Sequence, residues 1–358
     1  MIARQQPTRR TFLTAGIATI ASVPLCPAAD PDPSRIKIGQ IGTKHAHARG
    51  KLETILKFSD LYDLVGIVEP DAARQKEMSG RYKSLKWMTE RELLESQGLQ
   101  AVAIETAVKD LIPTGLRCLR AGLHIHLDKP AGESLEACRE LHAEASKRTL
   151  TIQMGYMLRY NPAFEFLFRV LKDGWLGEIT EVSGMIGKKM GEAGRKSLAA
   201  FEGGGMFELG CHLIDAVVSV LGAPKNVRSI SHRTYPAKDT FADNQLAVFD
   251  YPVAIATIRC NHIDPLGGPR RQFSVTGTQG SCEIRPLEPP VVRLGLDRAQ
   301  GKFKKGFQDV ALPKPGGRYD GDFQDLAKVI RGEKKLAWDA AHDLAVHEAV
   351  LRGSGMMK

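Results

Sequence analysis

The chain has no Asp or Glu in its first 29 residues, no Cys-x-x-Cys pair, no apolar run of membrane-spanning length and only 6% aromatic residues. Each shortage removes a class of protein. The six cysteines (Cys26, Cys118, Cys138, Cys211, Cys260 and Cys282) follow neither a disulfide-framework nor a metal-ligand spacing. They read as small buried hydrophobes, not as a disulfide scaffold or a zinc module. The apolar stretch from Phe12 to Leu25 is about 14 residues long, short of the ~20 that a spanning helix needs. The formal net charge is +9. The basic residues are scattered and not interleaved with aromatics, so nucleic acid is not an expected partner.

The acid-free start is itself a signal. Arg4, Arg9 and Arg10 precede Phe12-Leu13 and a modest apolar run, which ends in small residues up to Ala28-Ala29. A basic start, a short apolar core and a small-residue exit describe an export leader, and the paired arginines mark the twin-arginine kind. Residues 1–29 are therefore expected to be a signal peptide and 30–34 a linker. The mature protein is expected in the periplasm or otherwise outside the cytoplasm.

From residue 35 to 156 the pattern alternates. Short apolar runs (36–41, 61–68, 99–105, 124–127, 151–155) alternate with helical spacing (51–58, 71–82, 112–121, 135–148). Strands and helices alternating at this pace predict parallel βαβ units, hence a Rossmann-type sheet. After residue 157 the rhythm changes. Helical spacing covers 164–171 and 211–221. Strand-like runs then follow one another without helices (245–251, 254–260, 272–275, 281–284, 291–294). This predicts a second, α+β domain over 157–358 with a mostly antiparallel open sheet. The Gly-, Pro- and Lys-rich stretch 302–318 reads as a loop, and 322–331 and 339–351 as closing helices.

Two constellations carry chemistry. The first is the glycine turn Gly42-Thr43-Lys44-His45-Ala46-His47. A dinucleotide fold needs such a turn after its first strand, so that backbone approaches the pyrophosphate. Only the first glycine of the usual three is present, and Lys44 offers a cation to phosphate in their place. Glu69, ending the second strand, stands where a ribose hydroxyl partner belongs; its charge favours NAD(H), with NADP(H) left open. His45-x-His47 supplies two imidazoles, but no third ligand is evident and no metal is expected. The second constellation lies farther along. Asp128-Lys129-Pro130 follows a buried strand directly, which puts Lys129 at the carboxyl edge of the sheet. His212 and Asp215, three apart in an apolar helix behind the Gly203-Gly204-Gly205 run, share one face and need partners there.

Taken together, these motifs resemble the glucose-fructose oxidoreductase and inositol dehydrogenase family (Gfo/Idh/MocA), and the resemblance runs from Ile36 to Lys358. Asp128-Lys129-Pro130 matches the family's Glu-Lys-Pro, and Gly210, His212 and Asp215 match its Gly-x-His-x-x-Asp. Arg159-Tyr160-Asn161-Pro162, the stretch Val275 to Gly280 and Ala121-Gly122-Leu123-His124 also fit. The chain departs at the glycine turn, at Thr106-Ala107 in place of Thr-Pro, and near Leu111, where a histidine is usual. The resemblance implies that Gly42, Thr43, Lys44, His45, Glu69, Thr106, Asp128 and Lys129 hold the cofactor. It implies that Lys129 and His212 manage the hydroxyl proton, and that Asp215 binds a substrate hydroxyl and orients His212. Arg159, Tyr160 and Asn161 would line the substrate side.

The activity so implied is NAD(P)-dependent oxidation of a sugar, polyol or related hydroxyl compound, with a tightly held cofactor. Two other readings stand beside it: an NAD-dependent glycoside hydrolase working by transient oxidation and elimination, and a binding protein whose site has decayed. Association into a homo-oligomer, dimer or tetramer, is expected through the free face of the second sheet.

Overall fold

The computed structural model describes residues 35–314 and 316–358. The expected signal peptide and linker lie outside the described residues. The first sheet is built from β1 (Ile36–Ile41), β2 (Tyr62–Val68), β3 (Ala101–Ile104), β4 (His124–Leu127) and β5 (Ile152–Met154). All pairings are parallel, in the order β2-β1-β3-β4-β5. Helices α1 (Ala48–Lys57), α2 (Ala72–Arg81), α3 (Glu90–Leu94), α4 (Val108–Arg120) and α5 (Leu135–Arg148) connect the strands. Covered on both faces, β3 is buried at every residue, as a parallel strand between helices must be.

Asn161 caps α6 (Pro162–Lys172) by accepting from the Ala163 amide at 2.9 Å. There follow β6 (Ile179–Gly187), α7 (Glu192–Leu198), a π-helical turn (Met206–Gly210) and α8 (Cys211–Leu221). Seven further strands come next: β7 (Asn226–His232), β8 (Asn244–Asp250), β9 (Ile255–Asn261), β10 (Gln272–Gly277), β11 (Gly280–Leu287), β12 (Pro290–Leu296) and β13 (Gly306–Val310). Helices α9 (Asp320–Ile330) and α10 (Ala340–Gly353) close the chain. The second sheet runs β13-β12-β11-β10-β6-β9-β8-β7, antiparallel except where β6 meets β9. Its strands alternate buried and exposed residues, so one face packs on α6, α8 and α10 and the other is open. No helix among the described residues is long and apolar enough to cross a membrane.

Three sequence expectations are corrected. The loop read over 302–318 contains β13, an edge strand with an almost wholly unburied sequence and therefore no hydrophobic period. Strand β6 sits at the centre of the second sheet but was not read. Only Val182, Ile186 and neighbouring glycines turn inward, between Thr180, Glu181 and Ser183. Helix α4 starts four residues before Ile112 and carries Pro113 in its interior, whereas proline favours the first turn and so suggests a later start.

Candidate active site

Gly42 follows β1 at φ +92°, and a Cβ there would lie 2.6 Å from the backbone of Glu105 and Thr106. Only glycine lets the turn close onto the end of β3. The Thr43 amide and hydroxyl donate to one Glu69 oxygen at 2.7 and 2.6 Å, and the Asp71 amide donates to the other at 3.1 Å. Arg74 locks the same turn by donating to the Thr43 carbonyl at 2.9 Å. Glu69 therefore stands where the sequence placed it, but both its oxygens organise the turn. Lys44 is exposed at the rim.

Below the turn lies a charged cluster that the sequence reading did not foresee. The Lys51 ammonium is fully buried, 2.9 Å from Glu105 Oε1 and 3.0 Å from Asp128 Oδ2. His45 Nδ1 lies 2.7 Å from Asp128 Oδ2, and His47 Nδ1 3.2 Å from Asp128 Oδ1. The lack of a third ligand for His45 and His47 is thus corrected: Asp128, remote in sequence, comes between them. Ala48, Lys51, Leu52 and Ile55 fall on one helical face and all are buried. A lysine on such an apolar stripe was the readable signal. Burial, and then the neighbouring Asp128, push the Glu105 carboxyl well up. Burial works the same way on Asp128, but His45 and Lys51 overcome it and hold its carboxyl well down. Burial lowers His47 to about 4, although Asp128 opposes this.

Lys129 and His212 lie near Asp128, close enough for the Lys129 charge to act on the His212 ring. Lys129 is buried and its Nζ donates to the Glu208 carbonyl at 2.6 Å. Glu208 lies in the π-helical turn just before α8. Burial opposes the Lys129 charge, but Cys211, Glu208 and Asp128 outweigh it and raise its pKa. His212 is buried beside Tyr156 and His47, and neither ring nitrogen makes a hydrogen bond among the described residues. Burial first, then the charge of Lys129, keep its pKa well below the usual histidine value. The pair is thus a cationic donor and a neutral imidazole.

A cleft of about 470 Å³ opens at this carboxyl edge of the first sheet. It is lined by Lys44, His45, Thr106, Val108, Pro130 and Glu208, with Phe201 and Phe207 as an apolar wall. Pro130 and Glu208 are the chain neighbour and hydrogen-bond partner of Lys129.

Four expected substrate-side residues lie elsewhere. Asp215 does not orient His212; its carboxylate accepts from Arg159 Nη2 at 2.7 Å and Nε at 3.1 Å. Arg159 also donates to Asp343 at 2.6 Å and is sandwiched between Tyr156 and Trp338. Tyr160 donates to Asp325 at 2.9 Å, and Asn161 is spent capping α6. A buried arginine needs two carboxylates more than a cleft needs a guanidinium, and only the fold reveals where those carboxylates stand.

The edge suits a dinucleotide. Helices α1 and α4 both start without a side-chain cap, at His47 and Ala107. The residues leading into both helices line the cleft, so the positive ends of two helices face the space an anion would take. Residues 36–156 match the model of an oxidoreductase family with an NAD-binding Rossmann fold, and 164–283 match the Gfo/Idh/MocA C-terminal domain. The chain belongs to the Gfo/Idh/MocA family of NAD(P)-dependent oxidoreductases. Within it, the chain is 27% identical over 232 residues to bovine trans-1,2-dihydrobenzene-1,2-diol dehydrogenase, spanning 64% of this chain and 67% of that protein. Among solved structures, UDP-N-acetylglucosamine 3-dehydrogenase from Acidithiobacillus ferrooxidans superposes with a TM-score of 0.74 at 18% identity, covering 90% and 97% of the two chains. A Desulfitobacterium hafniense protein assigned as an NADPH-dependent oxidoreductase gives 0.76 at 18% identity, covering 90% and 95%. These likenesses show the shared fold.

Proposed function

We propose that the chain oxidises a secondary hydroxyl of a small polyhydroxy compound, a sugar, polyol or cyclic diol, with NAD(H) as hydride carrier. One observation carries the reading: Lys129, its Nζ donating to the Glu208 carbonyl, and His212, with neither ring nitrogen hydrogen-bonded among the described residues, stand at the carboxyl edge of the parallel sheet behind a cleft lined by Pro130 and Glu208. The Gly42 turn and the N-terminal ends of α1 and α4 would hold the pyrophosphate. The nicotinamide, when bound, supplies the hydride acceptor. Lys129 polarises the substrate oxygen and steadies the charge that grows on it as the proton leaves. His212, neutral and without a hydrogen bond in the structure, takes that proton. Phe201 and Phe207 keep water from the reacting carbon.

The relatives named above are a diol and a sugar-nucleotide dehydrogenase, which supports oxidation over glycoside hydrolysis. The choice of NAD(H) rests on Glu69, whose carboxylate would repel a 2′-phosphate. From the Arg9-Arg10 leader we propose further that the enzyme is exported with its cofactor in place. The first experiment is mass and absorbance analysis of the small molecules released on denaturing the purified protein. Dehydrogenase assays with NAD⁺ and NADP⁺ over a panel of polyols and diols follow. A protein that neither releases nor binds either nucleotide would refute the proposal and leave the decayed-site reading.

A further inference from the structure

We propose that His45, His47 and Asp128 form a site for one divalent transition-metal ion that opens onto the cleft. A ring nitrogen of each histidine and a carboxylate oxygen of Asp128 all lie within 4.8 Å of one another. The two imidazoles come from one loop and the carboxylate from the far end of β4, so the fold, not local sequence, brings the three together. Two imidazoles and one carboxylate are a donor set suited to Zn²⁺, Co²⁺ or Fe²⁺, and ill suited to Mg²⁺ or Ca²⁺.

The contacts inside the cluster point the same way. Asp128 is fully buried and its Oδ2 lies within 3.0 Å of both His45 Nδ1 and Lys51 Nζ. The other oxygen, Oδ1, lies 3.2 Å from His47 Nδ1, so the two imidazoles address the two oxygens of one carboxylate. Lys51 and Glu105 stand behind Asp128 and would hold it in orientation, the supporting part that metal-binding carboxylates require. On the other side the site is open: His45 lines the cleft, and His45 and His47 keep about a tenth of their side-chain surface exposed. Three protein ligands with an open position is the pattern of a centre that takes water or a substrate oxygen as its remaining ligand. The ion would sit in the same turn that faces the nucleotide, and its binding does not depend on the hydride-transfer reading.

The test uses the full chain, stripped with a chelator and then dialysed to equilibrium against Co²⁺ and, separately, Zn²⁺. About one ion per chain is expected, with visible Co²⁺ absorption of a nitrogen- and oxygen-ligated ion. His47→Gln and Asp128→Asn should each weaken binding at least ~10-fold while circular dichroism shows a folded chain. If Asp128→Asn does not fold, His47→Gln decides, since its ring is partly exposed and outside the Lys51 pair. Less than about a tenth of an ion on the folded wild type, or binding unchanged in His47→Gln, would overturn the proposal. Nucleotide binding without metal would sink this inference alone, and metal binding without nucleotide would sink the dehydrogenase reading alone.

Discussion

Lys129 and His212 divide the proton chemistry between a fixed charge and a neutral base. Lys129→Met leaves the apolar stem and removes the charge, and kcat/KM is expected to fall by about 10²- to 10⁴-fold with secondary structure intact. A loss under threefold would show that the ammonium does not act on the substrate. His212 carries a pKa well below the ordinary 6.5, so it remains a base in mildly acidic solution. The acid limb of kcat/KM should lie below 6.5, and a limb at or above that value would assign the base elsewhere. Lys129 and His212 were legible because each follows a signal, a strand end or a glycine run. Lys51 and Glu105 were not, because their meaning lies in facing each other, and no spacing within one element encodes that. Asp215 was misread for the same reason: the sharing of a face with His212 was visible, and the arginine on its other side was not.

At the level of the element, α9 is where charge and burial conflict most sharply. Asp322 in its first turn is fully buried, and burial raises its carboxyl to about 7 despite the field of Lys51. The unfolded chain gives up this proton near 3.8. Between those values the native state holds a proton that the unfolded state has released, so stability falls as pH rises. Asp322→Asn should flatten that fall, gaining up to about 4 kcal/mol on wild type by pH 8. Urea melts at pH 5 and 8 measure it, and equal pH slopes for the two proteins would count against the assignment. Elements with a strong period were readable. Helices α5 and α8 occupy the residues expected of them, since Ser134 caps the start of α5 and Gly222 stops α8. Strand β6 was not readable, because its place at the sheet centre comes from pairing with β9 far along the chain.

For the molecule as a whole, the open face of the second sheet is where association is expected. Register places Ile255, Glu181, Thr276, Ser281, Gly295 and Phe307 in one row across six strands, and both apolar ends of that row are exposed. Exposed apolar residues on a broad sheet face suit a partner subunit. Light scattering is expected to show a dimer or larger, and Ile255→Lys to shift it toward monomer with unchanged circular dichroism. A wild type that stays monomeric as its concentration is raised would contradict this. The two-sheet architecture was legible from the switch between alternating and strand-only rhythm. The return of the chain's end to its beginning was not. Tyr62 donates to the Phe323 carbonyl, Phe323 packs on His126, and Gln153 donates to the Asp322 carbonyl at 3.0 Å. A ribosome that has made the whole first sheet has therefore not yet made one of the pieces that covers it. The nucleotide-binding half waits for nearly the last helix to emerge, and a chain cut short before residue 320 leaves both halves unfinished.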